Sequence, residues 1–211
     1  VESAAYTVTQ AVEDQQAQTW KIKLLGENSG RVDQPGGTYL VFDLKRKRIM
    51  EVNPGESRVR FTENLPVPRG FNILAMLTDL KESAAKAQPG VPNREIGGVT
   101  AVGFIADVND EAYYVWTDPK TNLPLAMEAE RKLPSPDSQG DFTVVKERWT
   151  DFRFDQPVDK SLFDFKAPEG FAVETRRAPA GNASQRDRVL RDLKRQKAAI
   201  EAAKKKASEN K

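Results

Sequence analysis

Short runs in which apolar and polar residues alternate are the feature that most restricts how this chain can fold. Trp20, Ile22 and Leu24 are separated by lysines, and the same two-residue period recurs in residues 40–45 and 58–61. A period of two places apolar side chains on one face of a β-strand and polar side chains on the other. The sequence therefore predicts antiparallel strands with one buried face over its first two-thirds.

Turn signals separate these runs. Residues 53–56 (Asn-Pro-Gly-Glu) divide two strands, and residues 95–98 (Glu-Ile-Gly-Gly) introduce another pair. Residues 118–122 (Asp-Pro-Lys-Thr-Asn) lie between two apolar runs, which predicts a hairpin with about four to six loop residues. As a catalytic acid, Asp118 would need a second carboxylate or a base beside it, and the sequence names none, so we interpret this segment as a hairpin corner.

One helix interrupts the strands. Apolar residues from Ile73 to Ala84 recur at helical spacing, and Asn72 stands where an N-cap is expected. Phe71 and Met76 are placed to form a hydrophobic staple, and residues 88–90 (Gln-Pro-Gly) end the segment. We expect this helix to lie across the apolar face of the sheet.

Composition excludes several classes of function. The chain has 211 residues, 38% apolar and 30% charged, with no Cys and no His. These absences exclude disulfides, thiolate nucleophiles, Cys/His zinc sites and His-based triads. We therefore expect a protein that is not an enzyme and that holds no cofactor or metal. The lack of Cys fits an extracytoplasmic protein that avoids oxidation, and it fits many other proteins too; the start at Val-Glu-Ser favours removal of a signal peptide or anchor.

Charge is distributed unevenly along the chain. Residues 176–211 contain twelve Lys and Arg and four acids, a net charge of +8, so residues 1–175 carry −6 of the total of +2. We predict a domain at 1–175, a linker at 176–184 and a basic helical tail at 185–211.

Three interpretations of this tail are open: it docks on the acidic body or pairs with a partner helix, it lies against an anionic membrane or another polyanion, or it is a solvated, partly frayed helix. The absence of aromatic residues in the tail argues against base stacking, and so against a nucleic-acid partner. The basic residues that would make such contacts are Arg186, Arg188, Arg191, Lys194, Arg195, Lys197, Lys204, Lys205 and Lys206.

Four sequence blocks occur in a characteristic order: GGTYLVFDLKRKRIMEVNPGESRVR, EIGGVTAVGF, YYVWTDPKTNLPLAMEAE and WTDFRFDQPVDKSLFDFKAPEGF. Over about residues 5–173, this order resembles the LolA-like superfamily of bacterial extracytoplasmic proteins, which includes LolA, LolB and RseB-like proteins. The nearest branch is the LolA-like domains of planctomycetes. Two departures are visible: the N-terminal helix of the family is missing or lies upstream of Val1, and the basic tail is not part of the family core.

The resemblance implies an α+β, mainly β fold: a curved, open antiparallel sheet, or half-barrel, with helices on its concave face. It also implies a periplasmic location and a carrier or sensor of the cell envelope that binds apolar ligands, such as the acyl chains of lipoproteins.

Large apolar side chains of the sheet and helix are the candidates for contact with such a ligand. An acyl chain needs a dry trough, because each buried methylene contributes about 0.8 kcal/mol. The alternative is that these residues are ordinary core between sheet and helix. The candidates are Trp20, Phe42, Phe61, Leu74, Met76, Leu77, Phe104, Trp116, Phe152 and Phe154.

The acids Asp151, Asp155 and Asp159 are close in sequence, and oxygen ligands are those that calcium prefers. Their spacing matches no EF-hand loop, and a strand followed by a turn explains them better. Ser161 is interpreted as a helix cap, because no base stands beside it.

The leading hypothesis is a non-enzymatic binding protein for an apolar chain or a lipidated or unfolded protein segment. The second is a structural or interaction module of the cell envelope that uses its basic tail. A carboxylate-dependent hydrolase ranks last.

Overall fold

The computed structural model describes residues 1–12, 16–64, 72–86, 90–108, 111–134 and 142–177. The first compact unit of the chain runs from Val1 to Arg176, and the description below is of this unit. The predicted boundary at residue 175 stays a prediction. The predicted staple residue Phe71 and the predicted tail at 185–211 lie outside the described residues.

Twelve strands form one antiparallel sheet. They are β1 Ser3–Val12, β2 Gln18–Leu25, β3 Ser29–Asp33, β4 Tyr39–Asp43, β5 Arg48–Asn53, β6 Arg58–Glu63, β7 Arg94–Ile96, β8 Val99–Val108, β9 Glu111–Thr117, β10 Pro124–Pro134, β11 Phe142–Phe154 and β12 Ala172–Arg177. Their order across the sheet is β12-β6-β5-β4-β3-β2-β1-β11-β10-β9-β8-β7. The sheet is open, because β12 and β7 are its two ends.

Two runs of sequential hairpins build this order. Strands β1 to β6 follow one another across the sheet, as do β7 to β11, and pairing of β1 with β11 joins the two runs. Sequential strands pair readily because short connections bring them together. The sequence prediction of an open, mainly β, antiparallel sheet is confirmed at this level, and the half-barrel curvature stays a prediction.

The predicted turns form as their residue types require. Gly97 and Gly98 have φ angles of 59° and 79° and join β7 to β8 in a two-residue hairpin. At the β9–β10 corner, Asp118 Oδ1 accepts a hydrogen bond from the Lys120 N–H at 2.8 Å, and the Asp118 N–H donates to the Leu123 carbonyl at 3.0 Å. The interpretation of Asp118 as a hairpin corner is therefore confirmed.

The helix α1 runs from Ile73 to Lys86. Asn72 caps it as predicted: its Oδ1 accepts from the N–H groups of Leu74 at 3.1 Å and Ala75 at 3.2 Å. The Asn72 amide also donates to the Glu27 carbonyl at 2.6 Å, which ties the helix start to the β2–β3 turn. In the described part of the chain, no helix combines the length and apolar character needed to cross a bilayer.

The helix packs mainly on β8 and also touches β1. We call the face that it covers the helix-side face; it carries Ala4, Tyr6 and Val8 of β1. We call the opposite face the outer face. The main hydrophobic core lies between the helix-side face and α1.

Two smaller clusters lie on the outer face. One consists of Val41, Met50, Val52 and Val59, and it is covered by the segment at 155–171, which we call the strap. The other consists of Ala101, Trp116 and Ala126, against which Val91, Ile96 and Leu125 pack. Both faces of the sheet are therefore partly covered.

Candidate ligand-binding face

A row of apolar side chains crosses the helix-side face. Ladder pairing aligns one residue from each of six consecutive strands: Trp20, Val8, Trp149, Met127, Val115 and Phe104. Trp149, Met127 and Val115 are completely buried, whereas Trp20 at one end is only partly buried. The row therefore runs from the closed core beneath α1 to a more open end at β2.

A column of aromatic rings crosses this row. Tyr6 stacks on Trp149 and on Phe152, each with ring centroids 5.4 Å apart, and Phe152 stacks on Phe154 at 5.9 Å. Burial raises the pKa of Tyr6 far above its usual range, although a backbone hydrogen bond with Ile73 acts in the opposite direction. The Tyr6 hydroxyl therefore stays neutral inside an apolar column.

A β-bulge places Phe152 and Phe154 in this column. The register of β1 with β11 shifts between Ala5 and Thr7, and Asp151 has a left-handed φ of 57°. The extra residue reverses the alternation, so residues 152 and 154 share the face of Trp149 despite their even numbers. Strict alternation from Trp149 would have placed them on the outer face.

A second row extends the helix-side face toward β5. Ladder pairing aligns Phe154, Ala4, Leu24, Gly30, Phe42 and Ile49. A Cβ at Gly30 would collide with the Phe42 ring and lie 2.8 Å from Leu24 Cδ2. The missing side chain of Gly30 thus leaves room for the Phe42 ring over β3.

The structure brings eight of the ten candidate ligand residues together. Phe42, Leu74, Met76, Leu77 and Phe104 are buried in the main core, and Trp20, Phe152 and Phe154 are partly buried against it.

The two remaining candidates lie elsewhere. Phe61 packs against the cluster under the strap, and Trp116 lies in the cluster with Ala101 and Ala126, so the ten residues do not line one surface. The Trp116 indole N–H donates to the Pro92 carbonyl at 3.0 Å, and the Arg94 guanidinium lies 3.8 Å from the centre of the indole ring. Trp116 therefore lies on the outer face, where Pro92 and Arg94 of the same protein contact its indole ring.

The partly buried end of the helix-side face contains residues that the sequence prediction missed. We call this set the margin; it lies on or beside β2 to β5 and at the end of β11. Its members are Trp20, Val32, Leu44, Ile49, Phe152 and Phe154. Val32 pairs with Ile22, and Ile49 pairs with Phe42. Since paired residues share a face of the sheet, pairing the predicted strands would have placed both residues on the helix-side face.

An ion-paired group lies on strands β9 to β11, at the end of the core away from the margin. Arg131 contacts the buried carboxylate of Glu147 at 3.3 Å and the carboxylate of Glu111 at 2.7 Å, and it donates to the Tyr113 hydroxyl at 3.1 Å. Burial, followed by the charge of Glu111, raises the pKa of Tyr113 to about 12. Sequence reasoning missed this group, although Glu147 stands two residues from Val145 and Trp149 on the buried face of β11.

The acids near the end of β11 do not form the calcium site that their oxygen ligands suggest; they shape the backbone instead. Asp155 Oδ1 accepts from the Glu2 N–H at 2.6 Å, Asp159 Oδ1 accepts from the Ser161 N–H at 2.9 Å, and Asp151 forms the bulge. Hydrogen bonds lower the pKa of Asp155, chiefly that from Glu2, and the pKa of Asp159, chiefly that with the Ser161 side chain. Within the described ranges, no group of three or more Asp or Glu is placed to hold a metal.

A cavity of about 560 Å³ opens on the outer face between the strap and strands β3 to β5. Val41, Met50 and Tyr39 form part of its wall, and charges of both signs, including Arg31 and Asp164, surround it. None of the ten predicted candidates lines it. The basic candidates from Arg186 to Lys206 lie outside the described residues.

No protein-family model matches this sequence, and no curated protein matches it. Among solved structures, it is similar to an uncharacterized conserved protein from Thermus thermophilus, with a TM-score of 0.46 and 12% identity over 82% of this chain and 90% of that chain. A LolA superfamily protein from Nitrosomonas europaea aligns with a TM-score of 0.33 and 12% identity over 77% of this chain and 89% of that chain.

PNGF-II aligns with a TM-score of 0.31 and 13% identity over 84% of this chain, which spans only 31% of that chain. All of these TM-scores are below 0.5, so the likenesses carry no argument about function. Membership of the LolA-like superfamily stays a prediction from the sequence.

Proposed function

We propose that this protein is a non-enzymatic binding protein, a carrier or sensor for an apolar chain such as a lipid acyl group. The apolar ligand would lie along the margin, beside α1. The observation that supports this proposal is that the apolar helix-side face continues past the strands on which α1 packs. Its apolar residues reach as far as the partly buried Trp20 and Ile49, and the next ladder position after Ile49 is the polar Thr62 of β6.

The energetics favour the margin over the closed core. Phe104 and Leu74 are buried in contact with other side chains of the chain itself, so a ligand could reach them only by displacing α1. The margin residues keep part of their apolar surface accessible, and covering it needs no such displacement. Each methylene of a ligand buried there contributes about 0.8 kcal/mol.

Binding would involve no covalent chemistry. The chain contains no His and no Cys, and the buried carboxylate of Glu147 is ion-paired with Arg131.

Native mass spectrometry of the gently purified chain, followed by titration with palmitate, tests the proposal. We expect an adduct of lipid mass, or a complex that forms at micromolar palmitate. A bare mass that persists through the titration would exclude this function.

The three tryptophans locate the ligand. Trp20 lies at the margin, Trp116 on the outer face and Trp149 in the core. A brominated acyl chain quenches indole fluorescence on contact, so we expect quenching that is lost in Trp20→Phe and retained in Trp116→Phe. Retained quenching in Trp20→Phe would contradict binding at the margin.

A matched pair of variants measures the contribution of the margin. Phe154→Gln should weaken palmitate binding roughly tenfold, since burying a Phe side chain contributes about 1.5–3 kcal/mol. Phe61→Gln makes the same change in a partly buried ring on the outer face and should leave binding unchanged. Equal effects of the two substitutions would place the ligand elsewhere.

A second candidate function uses the basic tail, because the net charge of +8 on residues 176–211 favours an anionic surface or partner. We propose that removal of residues 182–211 abolishes retention on anionic vesicles while palmitate binding persists. Retention that survives the deletion would exclude this role for the tail.

A further inference from the structure

Strand β8 has an edge that its neighbour covers only in part. β7 pairs with residues 99–101 of β8, whereas β8 continues to Val108. The chain that precedes β7 leaves this edge, because the Pro92 carbonyl accepts from the Trp116 indole on the outer face. In the described part of the chain, no strand pairs with residues 104–108 on the side away from β9.

The direction of the free backbone groups follows from the hairpin. A two-residue loop makes Ile96 and Val99 a hydrogen-bonded pair, and bonding direction alternates along an antiparallel strand. The Gly103 N–H agrees with this alternation, since it donates to Asn93 Oδ1 at 3.4 Å on the same side. The N–H and C=O groups of Ile105 and Asp107 therefore point away from β9.

Exposed apolar side chains flank these groups. Ile105 is 48% exposed and pairs across the ladder with Tyr114, which is 46% exposed, and Val102 is 42% exposed. Natural sheet edges are usually guarded by Lys, Pro or inward charges, and residues 104–108 contain neither Lys nor Pro. The single charged residue there is Asp107, for which no ion pair forms among the described residues.

The opposite edge of the sheet is guarded. Strand β12 carries Glu174, whose carboxylate pairs with Arg176 at 2.6 Å and with Arg60 of the neighbouring strand β6 at 3.3 Å. An incoming strand would have to lie against these charges. Ion-paired side chains thus guard the β12 edge against a further strand, whereas the β8 edge at residues 104–108 has no such guard among the described residues.

We propose that β8 is a docking site for an extended segment of another protein, which adds to the sheet as an antiparallel strand. The segment would exchange hydrogen bonds with Ile105 and Asp107. It would place an apolar side chain opposite the exposed Ile105 and a basic side chain opposite Asp107. Main-chain hydrogen bonds supply affinity in this mode of recognition, and alternate side chains supply specificity.

Amide hydrogen exchange of the full chain, read residue by residue by NMR, tests this proposal. The probe is the capped peptide acetyl-Thr-Lys-Thr-Val-Thr-Val-amide, which sets Lys opposite Asp107 and Val opposite Ile105. In the free chain, we expect fast exchange at Ile105 and Asp107 and slow exchange at Phe104 and Ala106, which bond to β9. Adding the peptide should slow exchange at Ile105 and Asp107 by at least about tenfold.

Substitutions at the edge separate docking from folding. Ile105→Pro removes an N–H that does not bond to β9, and edge positions tolerate Pro, so the fold should persist while peptide affinity falls at least about tenfold. Ile105→Lys supplies the usual guard of an edge and should have a similar effect. Val173→Lys makes the matched change at an exposed apolar position of β12 and should leave affinity unchanged.

Three results would overturn the proposal. The first is slow exchange at Ile105 and Asp107 in the free chain, which would mean that the edge is already covered. The second is peptide binding that is insensitive to both Ile105 variants, or no protection at millimolar peptide. The third is protection that grows with protein concentration in the absence of peptide, which would make the occupant a second copy of this chain.

Discussion

The two faces of the sheet are stabilised in different ways. On the helix-side face, one continuous core joins side chains of both hairpin runs and α1. On the outer face, two separate clusters are each covered by a short irregular segment, and arginines stack on aromatic rings: Arg31 on Tyr39, Arg48 on Phe165 and Arg94 on Trp116, at 3.7 to 4.0 Å. Substitutions on the helix-side face should therefore lower the free energy of unfolding of the whole sheet. Substitutions on the outer face should mainly shift the segments that cover it.

The largest test of this difference is Trp149→Ala. Trp149 is completely buried, stacks on Tyr6 and meets Tyr113 edge-on, so its truncation should lower the free energy of unfolding by about 3–5 kcal/mol. Denaturation in guanidinium chloride measures this loss. Trp116→Ala is the matched change on the outer face and should cost less, because the segment at 90–93 can close over the gap.

Equal losses of stability at the two positions would contradict this difference between the faces. Trp149→Phe tests this difference further, because the buried Trp149 Nε1 has no hydrogen-bond partner among the residues that the structure describes. Phe keeps an aromatic ring in the column and removes this unsatisfied donor, so its cost should be well below that of alanine.

The next effect concerns the charged group on the helix-side face. Arg131→Met leaves the Glu147 carboxylate buried without its partner, which should lower the free energy of unfolding by about 2–4 kcal/mol. Adding Glu147→Leu removes the unpaired charge, so the double variant should recover most of the loss in the same denaturation experiment. A double variant as unstable as Arg131→Met would show that the ion pair is not the reason.

Two glycines, one on each face, give a smaller contrast. Gly30→Ala drives a methyl group into the Phe42 ring and should cost about 1–3 kcal/mol, as overpacking does. Gly103→Ala meets Val91 Cγ1 at 2.7 Å and the Pro92 carbonyl at 2.9 Å, in a segment that can move outward. We expect a smaller loss at Gly103, accompanied by a change in Trp116 fluorescence as its bond to Pro92 breaks; a larger loss at Gly103 would contradict the local character of the outer cover.

Much of the fold could be predicted because its signals are local. The alternation around Trp20, the cap at Asn72 and the hairpin corner at Asp118 each depend on neighbouring residues, and each forms as expected. Strand β4 shows where the signal weakens. Val41 and Phe42 are both buried because the strap covers one face and the main core the other, so alternation could not tell which residues face inward.

The candidate site was harder to predict because it depends on register and on distant segments. The bulge at Asp151 returns Phe152 and Phe154 to the helix-side face, and periodicity does not reveal a single inserted residue. The sequence groups Phe61 and Trp116 with the other candidates because composition does not assign a side chain to a face of the sheet. The strap and the segment at 90–93, which cover them, lack regular periodicity.

The smallest effect concerns Asp155, where the chain leaves β11 on the helix-side face and enters the strap on the outer face. Its carboxylate accepts from the Glu2 and Ser3 N–H groups, which lowers its pKa. A lowered folded-state pKa stabilises the fold above the unfolded pKa of about 3.9, and this contribution is lost as pH falls through the lower folded value.

Asp155→Asn keeps an acceptor oxygen and tolerates the left-handed φ of 53° but removes the charge. Urea denaturation from neutral pH to about pH 2 should therefore show the native chain slightly more stable near neutrality, with the two curves converging below about pH 4. A gap that stays constant to the lowest pH would mean that shape, rather than charge, holds this crossing between the two faces.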